Sequence, residues 1–340
     1  MKRFLVLAAA AVICSCAKEP VQPAAGKGEE SVVYITLKNS SDTRAVGAVH
    51  GVPADDGNIN TLEIFVFRVN EGEADDGMLD GYRKFTKDEL GTLSNLEVKT
   101  TTGRKIIYAV ANAHRSSWEG AYTREEFERI TASIADDELK DFLMVGSVEE
   151  ELQLASSVAF TVKRMVARVK LNSITTSFDS TPYQGMSLEG VKVYLTNVQG
   201  EKYLASGEGN GLKVYNRDRF VAADTAGLAM RGMLYDKITA AVDDSGYSTP
   251  HYFYCYGNSC KEEKGDSKFT KLVIEATLNG TVYYYPVALE GVERNSCYSL
   301  DVVICRPGAL SPDAIVEKGT LEAELGVVPW NVLPDSIVEF

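Results

Sequence analysis

The chain has 340 residues, 45% of them hydrophobic, which is enough apolar material for two cores at about 150 residues per domain. Its net charge of −13 excludes nucleic acid as a partner, because phosphate binding needs basic patches and the sequence has none. Loss of the first 44 residues would remove six basic and four acidic side chains, leaving a still more acidic remainder.

Lys2 and Arg3 precede an apolar run from Phe4 to Ile13, the layout of a bacterial export signal. The run is too short to span a bilayer as a helix. Ser15 then stands before Cys16, and a small residue before a cysteine is where signal peptidase II cuts and the sulfur receives lipid. Residues 1–16 therefore read as a lipoprotein signal with Cys16 as the lipid site. Residues 17–30 are polar and read as a flexible tether.

Ser31–Leu37 alternates as a strand, with Val33, Ile35 and Leu37 on one face. A polar loop follows and ends at Arg44, open to a trypsin-like, Arg-specific protease. A cut between Arg44 and Ala45 would release the tether and the first strand together, so 17–44 reads as a removable propeptide. Asn60–Val69 sets Leu62, Ile64 and Val66 on one face against Glu63, Phe65 and Phe67 on the other. The acidic turns Asp55-Asp56-Gly57 and Asp75-Asp76-Gly77 lack calcium-loop spacing and read as turn chemistry.

Further strands are expected at Leu93–Val98 and Lys105–Ala111, the second buried on both faces. Thr123 and Glu126 form a capping box ahead of a short helix, and Asp136 or Asp137 is placed to cap a second over Glu138–Phe142. Strands follow at Val158–Val162, Ala167–Leu171, Gly190–Thr196, Tyr252–Tyr256, Leu272–Leu278, Thr281–Val287 and Tyr298–Ile304. Asn279-Gly280 joins two of them as a hairpin. The class is all-β sandwich with minor helix, divided near 155–165 into domains over 45–160 and 161–306.

The sequence offers little chemistry. His50, His114 and His251 each stand alone, and no hydrolase, phosphate-loop or zinc-protease motif occurs. No enzyme, cofactor or metal is expected. Four cysteines remain for the folded part: Cys255, Cys260, Cys297 and Cys305. They are candidates for a disulfide, with three pairings open. Cys297 and Cys305, eight apart on one strand, are too distant to bridge each other. The tyrosine-rich runs Tyr252–Tyr256 and Tyr283–Tyr285 fit a packed sheet better than a glycan platform.

After Arg306-Pro307-Gly308 the character changes. Thr320–Val327 alternates Leu321, Ala323, Leu325 and Val327 against Glu322 and Glu324. Trp330 marks a corner, and Ser336–Phe340 carries Ile337, Val338 and Phe340 to the end. A removable first strand and a spare last strand imply self-assembly: losing one opens an apolar groove, and an alternating tail fills it by strand addition.

This combination resembles the fimbrillins of Bacteroidia, the pilin lipoproteins of type V pili. The resemblance rests on Cys16, the strand before Thr43-Arg44-Ala45, Leu62–Val69, Phe142–Gly146, Lys163–Val169, Glu293–Leu300 and the Trp330 tail, in that order. It implies two transthyretin-like Greek-key β-sandwiches, lipidated export to the outer membrane, cleavage after Arg44, and polymerisation with other pilin subunits by donor strand exchange. Residues 307–340 would be the donor tail. The alternatives are a surface-retained anchor that is never cut, or a tip adhesin that binds glycans or host proteins.

Overall fold

The computed structural model describes residues 28–39, 58–91, 93–139, 141–179, 181–228, 232–314 and 320–329. The first set of elements runs β1 (Glu30–Asn39), β2 (Thr61–Arg68), β3 (Leu79–Thr86), helix α1 (Lys87–Leu90), β4 (Leu96–Thr101), β5 (Gly103–Ala111), helix α2 (Arg124–Glu128), β6 (Thr131–Ser133), β7 (Met144–Leu152) and β8 (Ala155–Arg164). Seven of these strands join in the order β3-β2-β5-β7-β8-β1-β4. β7 and β8 pair only at Met144–Arg164 and Val145–Lys163, so the layer turns a corner there. The two arms enclose a core that includes Val33, Ile35, Leu62, Ile64, Val98, Ile107 and Phe160.

Alternation works as expected in β2 and β5. Leu62, Ile64 and Val66 enter that first core, while Phe65 and Phe67 face the opposite way into a second one. Ile107 and Ala109 likewise oppose Ile106 and Tyr108. Helix α2 covers the second face, capped by reciprocal bonds between Thr123 and Glu126. Its Phe127 ring lies 4.8 Å from Phe65 and 4.8 Å from Tyr108, and Trp118 stands 4.8 Å from Phe65.

The second set comprises β9 (Val166–Thr176), β10 (Glu189–Thr196), β11 (Val198–Gln199), β12 (Glu201–Tyr203), β13 (Val214–Tyr215), helix α3 (Ala222–Ala226), β14 (Tyr235–Lys237), β15 (His251–Tyr256), β16 (Thr270–Leu278), β17 (Thr281–Leu289), β18 (Ser296–Ile304) and β19 (Leu321–Pro329). Its main sheets are β15-β9-β18-β19 and β14-β10-β16-β17. Asn279 and Gly280 both adopt positive φ, 49° and 79°, the two-residue turn whose twist suits a hairpin.

The two sets share a junction. β6 pairs with β12, Leu204 N–H donates to Ile130 O, and Phe142 packs 4.9 Å from Tyr254. Buried Arg164 donates to Asn295 Oδ1 at 3.2 Å. The second apolar core runs across this junction, from Phe65 through Met165 to Leu300. β8 continues to Arg164, so the break between sheets falls at Met165.

The helix expected over Glu138–Phe142 does not form. Asp137 Oδ1 accepts the Leu143 N–H instead, looping the chain so that Phe142 and Leu143 are buried, and a 3-10 turn at Ile134–Asp136 precedes that loop. No disulfide joins the four candidate cysteines. Cys255 faces Ala167 and Cys297 faces Arg168 from opposite sides of β9. That separation is two strand spacings, roughly 9.6 Å, beyond the reach of a disulfide. Burial pushes the Cys255 thiol up to about 12, leaving it inert.

Candidate functional site: the first strand and the last

β1 is an interior strand. It pairs antiparallel with β4, from Glu30–Thr101 to Ile35–Leu96, and parallel with β8, from Val32–Ala155 to Asn39–Val162. Val33 and Ile35 are fully buried and Leu37 nearly so. Outside the ladders, Thr102 N–H donates to Glu29 O at 2.9 Å, Ser31 Oγ donates to Gln153 O at 2.5 Å, and Leu37 N–H donates to Leu93 O at 2.8 Å. Each fully buried apolar side chain of this size stabilises the fold by roughly 1.5–3 kcal/mol. β1 is thus a full member of the core, although it comes first among the strands of the described residues.

The β4 wall beside β1 has its own support from the facing arm. Asp80, on β3, accepts from Thr100 Oγ1 at 2.6 Å, Thr101 N–H at 2.8 Å and Thr101 Oγ1 at 2.8 Å. Its other oxygen accepts from Arg68 Nε and Nη2, and Lys105 Nζ lies 3.5 Å from the oxygen that takes the threonine bonds. Burial alone would raise the Asp80 pKa, but these donors outweigh it and hold the carboxyl at about 2. Arg83 adds a bond to Glu97 O at 2.7 Å. Gly81 permits the approach, since a Cβ there would lie 2.5 Å from Lys99 O.

β19 is the opposite kind of strand. It is the edge of its sheet and pairs with β18 from Ser296–Pro329 to Ile304–Leu321. Directly paired residues of an antiparallel ladder share a face. Leu321, Ala323, Leu325 and Val327 therefore share the face of Ile304, Val302, Leu300 and Tyr298, all of which are buried. Yet every residue of β19 after Leu321 is exposed, with Val327 at 52%. Apolar residues on a solvent-facing edge strand form a template for pairing with another chain.

The proposed lipid and cleavage residues, Cys16, Arg44 and Ala45, lie outside the described residues, as do Trp330, Ile337, Val338 and Phe340 of the tail. The tyrosine-rich strands are mainly core: Tyr254, Tyr256 and Tyr285 are buried, with Tyr252, Tyr283 and Tyr284 half-buried. His251 is taken up by Asp236 at 2.6 Å and Tyr247 at 2.9 Å, and His114 by the Asp141 carbonyl at 2.8 Å. Among the described residues no three metal-ligating side chains come together.

This all-β architecture is that of the fimbrial and cell-adhesion proteins of Bacteroidia. A fimbrilin of Porphyromonas gingivalis superposes with a TM-score of 0.64 at 17% identity, covering 89% of this chain and 99% of that one. A cell-adhesion candidate of Bacteroides eggerthii gives 0.65 at 18% identity over 89% and 97%. The C-terminally truncated tip fimbrial protein Mfa3 of Porphyromonas gingivalis gives 0.53 at 13% over 88% and 100%. No curated protein matches the sequence. The model of the P. gingivalis major fimbrial subunit protein, FimA, matches residues 31–205, and the chain belongs to that family. It is a fimbrial or cell-adhesion protein by that membership, and the match begins within β1.

Proposed function

We propose that the chain is a polymerising pilin of type V fimbriae whose first strand is a placeholder. The subunit is exported as a lipoprotein on Cys16 and reaches the outer membrane folded, with β1 filling the groove between β4 and β8. An Arg-specific protease cuts between Arg44 and Ala45. β1 then leaves with the tether, and the tail of another subunit, led by Leu321, Ala323, Leu325 and Val327, takes its place.

One contrast carries this reading: β1 is paired on both sides and buried, whereas β19 is an edge strand with its apolar side chains in water. A strand that belongs to the core but precedes the cleavage bond leaves a groove when removed. The Asp80 bonds to Thr100 and Thr101 support one wall of that groove independently of β1.

Digesting the purified full-length chain with a trypsin-like protease, followed by mass spectrometry of the N-terminus and sizing, tests the proposal. A new N-terminus at Ala45 together with multimers supports it. A chain that stays monomeric after that cut is not a stalk subunit, and native material still beginning at Cys16 identifies an uncut anchor.

A further inference from the structure

Between β18 and β19 the chain leaves one sheet for the other and comes back. β18 and β19 belong to the sheet with β9 and β15, but Ala309 and Asp313 are bonded to β17 and β16 of the facing sheet. Ala309 and Tyr284 exchange two backbone bonds, each 2.9 Å, so Ala309 closes the outer edge of β17 at that point. Pro286, two residues further along the same strand, has no N–H to offer that edge. Gly308 makes the approach possible, since a Cβ there would stand 2.4 Å from Tyr284 O.

Asp313 fixes the far end of this stretch. Lys271, on β16 and only 4% exposed, donates to Asp313 Oδ1 at 3.0 Å, and Lys268 donates to Asp313 Oδ2 at 3.1 Å. Burial would raise the Asp313 pKa, but the two ammonium groups outweigh it and hold the carboxyl below the usual aspartate range. Glu263 Oε1 lies 3.2 Å from the same Lys271 ammonium, so that lysine stays paired when the Asp313 charge is removed.

β19 has no such hold. Its side chains after Leu321 are exposed, and the chain rejoins its own sheet at Thr320, whose carbonyl accepts the N–H groups of Cys305 at 2.9 Å and Arg306 at 3.1 Å. Opening β19 breaks its bonds to β18 and leaves those of Ala309 and Asp313 intact.

We propose that residues 308–313 are a fixed root for the tail: β19 leaves its sheet while the root stays bonded to β16 and β17, so the chain passes to the next subunit only after Asp313. The root rests on the strand-exchange reading and narrows it, since the donor is then shorter than residues 307–340. It also sets a length. Eight residue steps separate Asp313 from Leu321 and span at most roughly 29 Å, whereas release back to Arg306 would allow roughly 54 Å.

Native-state hydrogen exchange on the uncut full-length chain in sub-denaturing urea tests the root without relying on assembly. The amides of Tyr284 and Ala309 are expected to exchange at least tenfold more slowly than those of Leu321–Pro329, and to open with β16. Asp313→Asn should speed exchange at Ala309 tenfold or more while β16 stays protected, with thermal melts to establish that the variant is folded. In the polymer formed after cleavage, Ala309 should keep the protection it has in the monomer. A root that opens together with β19, an Ala309 amide unaffected by Asp313→Asn, or loss of its protection on polymerisation would each overturn the proposal. A cut chain that forms no polymer would overturn the strand-exchange reading itself, and the monomer data then decide the root alone.

Discussion

Leu325 lies directly across the ladder from Leu300, yet Leu300 is fully buried while Leu325 keeps 39% of its surface in water. The backbone bonds of β19 are made, while its side chains after Leu321 stand in water. A strand held in that way is easily exchanged, since few buried apolar contacts oppose its opening.

Leu325→Ala is accordingly expected to leave the stability of the uncut monomer within ~0.5 kcal/mol of wild type in urea unfolding. The same substitution should sharply reduce polymer yield after cleavage, where the proposed acceptor groove would bury the side chain. Equal yields for variant and wild type would separate β19 from assembly.

Ile35→Ala probes the converse. Ile35 is fully buried in the first core, so the uncut chain should lose about 2–5 kcal/mol by the same measurement. Once the protein has been cut and assembled, the variant and wild-type polymers should be equally stable, because β1 is no longer present.

Asp80 predicts a pH dependence whose sign follows from its ionised state. Its folded pKa, about 2, lies below that of an ordinary aspartate, so the contribution is present above the unfolded value. It is lost as pH falls from near 4 toward 2, by on the order of 2 kcal/mol. Asp80→Asn should show a flatter stability curve across that window. It should also be less stable at pH 7 by roughly 3–5 kcal/mol, because it leaves Arg68 without a charged partner at that position.

Asp137 behaves in the opposite direction. Burial raises its pKa to about 7, above the unfolded value, so between about pH 4 and 7 the folded chain holds a proton that the unfolded chain has lost. Its contribution therefore falls as pH rises through that window. Asp137→Asn should remove that slope and be the more stable protein at pH 8, as thermal melts at a series of pH values would show.

The first strand and the tail were legible because each alternates cleanly, Val33-Ile35-Leu37 and Leu321-Ala323-Leu325-Val327. β2, β5 and the Asn279-Gly280 hairpin were legible for the same local reasons. β3 was not: Leu79–Thr86 carries Asp80, Arg83 and Lys84, and its place is set by Gly81 against Lys99 and by buried ion pairs with β2. β7 was hidden by Glu149-Glu150-Glu151, which are exposed on a strand paired along its length with β5. The surroundings of Trp118 and Asp137 had no sequence signal at all, since the residues that line one pocket with them come from separate elements of the chain. Exposure of Leu325 and Val327 was equally invisible, because alternation predicts a face but not what covers it.

The central claim is that β19 of one subunit replaces β1 of another. Hydrogen exchange of the amides in Leu321–Pro329, read before cleavage and again in the polymer formed after it, tests this directly. Those amides should exchange quickly in the uncut monomer and become strongly protected in the polymer, while β4 and β8 stay protected in both. A polymer in which Leu321–Pro329 still exchanges as quickly as in the monomer would contradict the account.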